Sequence, residues 1–147
     1  DYMTVIDSIL LPQLHHTKRP VEELLKEARE LSQMFGLPGI PTARPGAMLP
    51  ADLQRAACVR AFMGQPRLVI LDEPTSVLTP QETEVLFRTL KNLKQQGKTI
   101  IMIEHRLKEL FRIADRVMVL NYGEKIAEAM QRIEANLLNQ RKGVRRH

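Results

Sequence analysis

The sequence predicts an α/β fold: a parallel sheet with flanking helices, preceded by a helical subdomain. Three observations carry this. Residues 1–63 hold only helical periodicities and loops. From residue 67 onward the order becomes strand, helix, strand, helix, strand and hairpin strand. Alternation of this kind implies parallel strands joined by right-handed crossovers. The first of these strands, Leu68–Leu71, is an unbroken apolar run that stops at Asp72, Glu73 and Pro74. Such a run reads as a strand buried on both faces, with its carboxyl end at the edge where open α/β sheets bind ligands.

The elements follow in order. Met3, Ile6, Ile9 and Leu10 give a first helical face ended by Pro12, with His15 and His16 in the loop beyond. Adjacent histidines cannot share a helix face, and no Cys or acid completes a zinc set there. Pro20 stands at a first helical position, and Val21, Leu24, Leu25, Ala28 and Leu31 repeat at spacings of three and four until Gly36 stops the helix. Six prolines and glycines between 38 and 50 make a loop. A third helix runs from about Ala51 to Met63, small on one side at Ala56, Ala57 and Ala61, with Arg55 and Arg60 snorkelling or pairing at the surface.

After the strand at Leu68–Leu71, Thr79-Pro80-Gln81-Glu82 is a capping box with proline at the first helical position. The helix it opens carries Val85, Leu86, Leu90 and Leu93 inward and ends at Gly97. Thr99–Ile103 is a second buried strand. Leu107, Leu110, Phe111 and Ala114 mark a helix, and Val117–Leu120 a third strand. Tyr122-Gly123 turns the chain into an edge strand near Lys125–Ala127, and a last helix runs from about Ala129 to Gln140.

Bulk properties narrow the function classes. At 147 residues, 44% hydrophobic and 27% charged, the chain is one ordinary globular domain. Its single cysteine, Cys58, rules out an internal disulfide and sits in a helical apolar pattern as buried filler. No apolar run reaches membrane-spanning length, and the start is not a secretory signal. The first residue is not Met, so residue 1 is not expected to be the natural start. The net charge of +5 is concentrated at Arg141, Lys142, Arg145 and Arg146, a solvated tail.

Chemistry gathers at two strand ends. Asp72 offers the hard oxygen that Mg²⁺ prefers, and Glu73 suits a general base acting on water. Glu104 and His105 close the second strand as Asp72 and Glu73 close the first. If the strands are parallel, all four crowd one edge. A bare Asp-Glu pair ends many strands, and a histidine near a helix start is common and inert. Two strands delivering functional groups together favour a site.

The string Val69–Ser76 resembles the Walker B segment of ABC-type ATPases, and Ser76-Val77-Leu78-Thr79 resembles their D-loop. His105 lies 33 residues after Asp72, the family's separation of Walker B from the switch histidine. Gln54-Arg55 and Ala61 fall where the signature helix continues, and Ala114–Leu120 resembles a late core strand. Residues 99–128 are most similar to ATPases of branched-chain amino-acid importers, whereas Met3–Asp7 resembles lipid or lipoprotein transport ATPases. The resemblance implies the C-terminal part of a P-loop NTPase (RecA-type) sheet. It implies a helical signature subdomain at 1–64, the second half of the core at 65–128, and a C-terminal helix and basic tail at 129–147. It also implies roles: Asp72 holding Mg²⁺ through water, Glu73 as hydrolytic base, His105 as γ-phosphate sensor, and Ser76 beside the nucleotide.

Three departures stand against the family pattern. No phosphate-binding loop is present: Gly97-Lys98-Thr99 lacks the leading glycine, since position 92 is Asn92, and it joins helix to strand rather than strand to helix. Walker A and the Q-loop are therefore outside these residues, and tight ATP binding by this chain alone is not expected. The signature positions fall on Met48-Leu49-Pro50-Ala51, or one residue later, without serine or glycine. Leu49, Pro50 and Ala51 remain the nucleotide-facing candidates by resemblance, although proline removes an N–H donor. Thr79 replaces the D-loop aspartate.

The function implied is an ATP-binding and ATP-hydrolysing subunit of an ABC transporter, present as a truncated domain. ATP and Mg²⁺ would be its ligands. A transporter membrane subunit and a second ATPase subunit would be its partners, at the cytoplasmic face of the membrane. One alternative is a degenerate, non-hydrolysing interaction module. The other is a nucleic-acid-associated ATPase of the same superfamily, motivated by the basic tail but poorly supported with 4% aromatic residues.

Overall fold

The computed structural model describes residues 3–37 and 42–130. The expected loop prolines 38 and 41, most of the expected C-terminal helix and the basic tail lie outside the described residues. Two compact units divide at Ile103 and Glu104. The change from helix to strand near residue 64 is thus internal to the first unit.

In that unit, α1 (Val5–His16) opens on a capping box in which the Thr4 hydroxyl accepts from the Asp7 amide while the Asp7 carboxylate accepts from the Thr4 amide. Two sequence expectations are corrected here. The helix runs through Pro12 to His16, because a proline removes a single amide donor and the i−4 pattern resumes beyond it. Its inward face is Val5, Ile9 and Leu10, while Met3 is exposed.

Helix α2 (Val21–Met34) buries Leu24, Ala28 and Leu31, and Val21 is exposed. Gly36 ends it at φ +69°, with its amide donating to the Gln33 carbonyl and the Leu37 amide to Ser32. That is a Schellman stop, which only a residue at ease with positive φ completes cheaply. After a single 3₁₀ turn at Pro45–Ala47, α3 (Pro50–Phe62) packs on α1 and α2. Cys58 faces the core, and burial pushes its thiol up to about 12, which keeps it protonated and inert at neutral pH.

The turn after α3 is tied to both earlier helices. The Gly64 amide donates to Glu27, and the Gln13 side chain donates to the Met63 carbonyl. Gly64 has φ +74°, and a Cβ there would stand 2.5 Å from the Gln13 side-chain oxygen. Gly64→Ala is expected to lower stability to urea by roughly 1–2 kcal/mol. Most of that cost is expected to persist in a Gln13→Ala background, because the backbone strain does not depend on the glutamine. Complete recovery in that background would show that contact, not φ, makes the glycine necessary.

Strand β1 (Leu68–Asp72) then pairs in parallel with β2 (Thr99–Ile103), joined by α4 (Pro80–Gln95). The α4 capping box and its buried Leu86, Leu90 and Leu93 match the sequence reading. Burial of the strands does not. Val69 and Leu71 face inward, but Leu68 is 51% exposed, Ile70 59%, Ile101 47% and Ile103 52%. One layer of helices, α3 against β1 and α4 against β2, covers one face. Burial on both faces needs a second layer, which the described residues do not supply.

The second unit contains α5 (Leu107–Ile113) and a hairpin, β3 (Arg116–Asn121) and β4 (Glu124–Met130). These strands pair antiparallel through Tyr122-Gly123, both at positive φ as a two-residue hairpin turn requires. The partner of the expected third strand is therefore β4, and the parallel pairing described is that of β1 with β2. Ala129 and Met130 belong to β4 rather than to a final helix, since the hairpin register continues to Arg116 opposite Met130.

Candidate functional site

The parallel register sets the site. Leu68 stands opposite Thr99 and Asp72 opposite Ile103, so both strands end at one sheet edge. Asp72 is the last residue of β1 and is exposed. Glu73 follows at φ +45°, a left-handed conformation uncommon for a side-chain-bearing residue. Its amide donates to the Ile103 carbonyl at 2.9 Å, one bond past the ladder, which helps hold the strained residue at the strand mouth. Pro74 and Thr75 are buried beneath the turn, whose amides at Ser76 and Leu78 donate to Glu73 and Thr75. Ser76 is exposed on the outside of that turn.

Asp72, Glu73 and Ser76 are thus brought together by one strand end and one turn. Leu49, Pro50 and Ala51 stand elsewhere, at the start of α3. Leu49 is the residue before the helix and is 70% exposed, and Pro50 is its first residue, with no side-chain cap. His105 stands two residues past β2, at the start of the second unit.

Among the described residues no three His, Cys, Asp or Glu side chains form a metal cluster. A single exposed carboxylate fits Mg²⁺, which keeps several waters and takes phosphate oxygens rather than an all-protein cage. No helix among the described residues is long and apolar enough to cross a membrane.

Of the two alternatives the sequence left for Arg55, snorkelling or pairing, the structure shows pairing: its guanidinium donates to Asp52 on its own helix and to Glu82 on α4. Glu82 is more than a cap, since its other oxygen accepts the Thr79 amide at 2.8 Å and hydroxyl at 2.9 Å. The Asp52–Arg55 spacing was a readable hint; a partner 27 residues away was not.

Those donors, first the Thr79 amide, then its hydroxyl, with Arg55 behind them, hold the Glu82 carboxyl below its ordinary 4.5. A depressed carboxyl contributes stability above its unfolded value and loses it as pH falls through the folded one. The stability advantage of wild type over Glu82→Gln at pH 7 should therefore narrow below pH 4.5 in urea titrations. An advantage equal at pH 7 and at pH 3 would contradict it.

A ribose import ATP-binding protein of Rhodopirellula baltica is 38% identical over 130 residues, 86% of this chain and 25% of that protein. An arabinose import ATP-binding protein of Burkholderia ambifaria is 35% identical over 127 residues, covering 85% and 25%. A solved dimeric ABC transporter cassette superposes at a TM-score of 0.80 with 25% identity, over 88% of this chain and 57% of that one. The chain belongs to the ABC-type ATPases. It corresponds to the C-terminal part of an ABC-type ATP-binding domain, and it spans about a quarter of the length of the curated relatives it matches. A second ABC-type cassette, solved in its ADP conformation, shares the fold at a TM-score of 0.73 and 24% identity. No family model matches the chain.

Proposed function

We propose that this segment supplies the hydrolytic edge of an ATPase subunit that powers a membrane importer. The observation that carries the reading is the parallel register of β1 and β2, which ends both strands at one edge with Asp72 and Glu73 on it. The names of the relatives, both import ATP-binding proteins, support the transport role.

In this reading Glu73 accepts a proton from the attacking water, which lines up with the γ-phosphorus opposite the leaving oxygen. Its position one residue past the end of β1 places it at the sheet edge where both strands end. Asp72 would hold Mg²⁺ through water, and the bound ion would neutralise phosphate charge. By the resemblance His105, two residues past β2, would sense the γ-phosphate, and Ser76 would offer a hydroxyl to the nucleotide. The backbone amides and lysine of a phosphate-binding loop come from chain outside these residues. The half-exposed apolar face of Leu68, Ile70, Ile101 and Ile103 supports this, because a further layer of the same domain would cover it. A membrane subunit and a second ATPase subunit complete the assembly, on the cytoplasmic face.

A second reading has a specific observation behind it. Helix α3 begins at Pro50 without a serine or glycine, so the surface meant to meet a partner's nucleotide has lost a hydroxyl and an amide. A subunit of this kind docks and binds without turning over. ATP turnover by the native full-length protein, compared with its Glu73→Gln variant, separates the two. Turnover lost in the variant supports the enzyme; nucleotide binding with no turnover in either supports the docking module.

A further inference from the structure

We propose that Arg55 is a positioning residue that locks the turn Ser76–Thr79 to the first turn of α3, so that the two move as one body. The Glu82 carboxylate is divided between two tasks. One oxygen accepts both donors of Thr79, the last residue of the turn. The other accepts from Arg55, whose second contact is Asp52 Oδ1 at 2.7 Å, in the first turn of α3. The chain of contacts therefore runs Asp52, Arg55, Glu82, Thr79, from one helix start to the other. The Arg55 side chain is 17% exposed and those of Asp52 and Glu82 are 20% and 26%, so these pairs are partly shielded from water.

The local caps do not need this link. Thr79 and Glu82 satisfy each other within α4, and an arginine on α3 is not required to complete their box. The need lies on the other side. Leu49 provides no capping oxygen and Pro50 no amide, so α3 starts without a side-chain anchor of its own. Arg55 supplies one by reaching across to α4. A planar guanidinium satisfies two carboxylates in fixed directions, which the point charge of a lysine does not.

The catalytic consequence rests on the ATPase reading: the turn that follows Glu73 and carries Ser76 keeps its place relative to α3 only while Arg55 holds it. The clamp itself does not rest on that reading, and the test separates them. In the native full-length protein, Arg55→Met is expected to speed amide hydrogen exchange at Thr79 and Leu53 roughly tenfold, with the interiors of α3 and α4 unchanged. Where ATP is hydrolysed, kcat should fall roughly tenfold with KM for ATP unchanged, and Arg55→Lys should not restore it. Absence of hydrolysis in wild type sinks the ATPase reading, and exchange still decides the clamp. Unchanged exchange at Thr79 and Leu53, or a kcat restored by lysine, overturns the proposal. Should Arg55→Met fail to fold, Glu82→Gln keeps an oxygen for Thr79 and loses the charge that Arg55 meets. Leu53 should then exchange faster, and unaltered exchange there overturns the clamp equally.

Discussion

Replacing Glu73 with glutamine is expected to cut ATP hydrolysis by the native full-length protein by about 10²–10⁴-fold, while nucleotide binding persists. The substitution is nearly isosteric, and two constraints on residue 73 lie in its backbone: φ +45° and an amide bonded to Ile103. Both survive in the variant. What disappears is a carboxylate able to take a proton from water. The signature is a fall in kcat with little change in KM for ATP and no change in melting temperature. A turnover rate within a few-fold of wild type would remove Glu73 from the chemistry. A large drop in melting temperature would mean that the carboxylate holds the fold instead.

The largest effect on stability is expected at Phe62. Its ring lies near the C-terminal end of α3, 3% exposed, with its centroid 5.6 Å from that of Phe35 and tilted by 35°. Phe35 follows α2, so this aromatic pair joins two helices that share no sequence proximity. Phe62→Ala removes the ring and leaves a cavity that rigid neighbours cannot fill, a cost of about 3–5 kcal/mol. Domains of this size have about 5–15 kcal/mol in all, so the variant should unfold at a markedly lower urea concentration with an unchanged slope. Phe62→Leu should recover much of the difference. A loss below about 1 kcal/mol for the alanine variant would show that the site collapses around the gap.

Much of this molecule was readable from local chemistry. Thr79-Pro80-Gln81-Glu82 set the start of α4, and Gly36 and Gly97 set the ends of α2 and α4, because caps and stops depend on residues a few positions apart. The string from Val69 to Ser76 carried the family, which the relatives bear out. The acids at the end of β1 were legible for the same reason: a strand ends where its apolar run ends.

The remainder is non-local. Pro12 did not end α1, because the packing of Ile9 and Leu10 outweighs one missing hydrogen bond. An apolar run says that a strand wants burial, but only the layers around it decide how many faces receive it, and β1 and β2 have one face covered. No pattern of spacing could pair Arg55 with Glu82, whereas the antiparallel partner of β3 was legible at Tyr122-Gly123 because a hairpin is local. Short-range interactions are written in neighbouring residues and fix the elements. Contacts between distant residues depend on how those elements stack, which is where the strand ends are aligned and the two helix starts are joined.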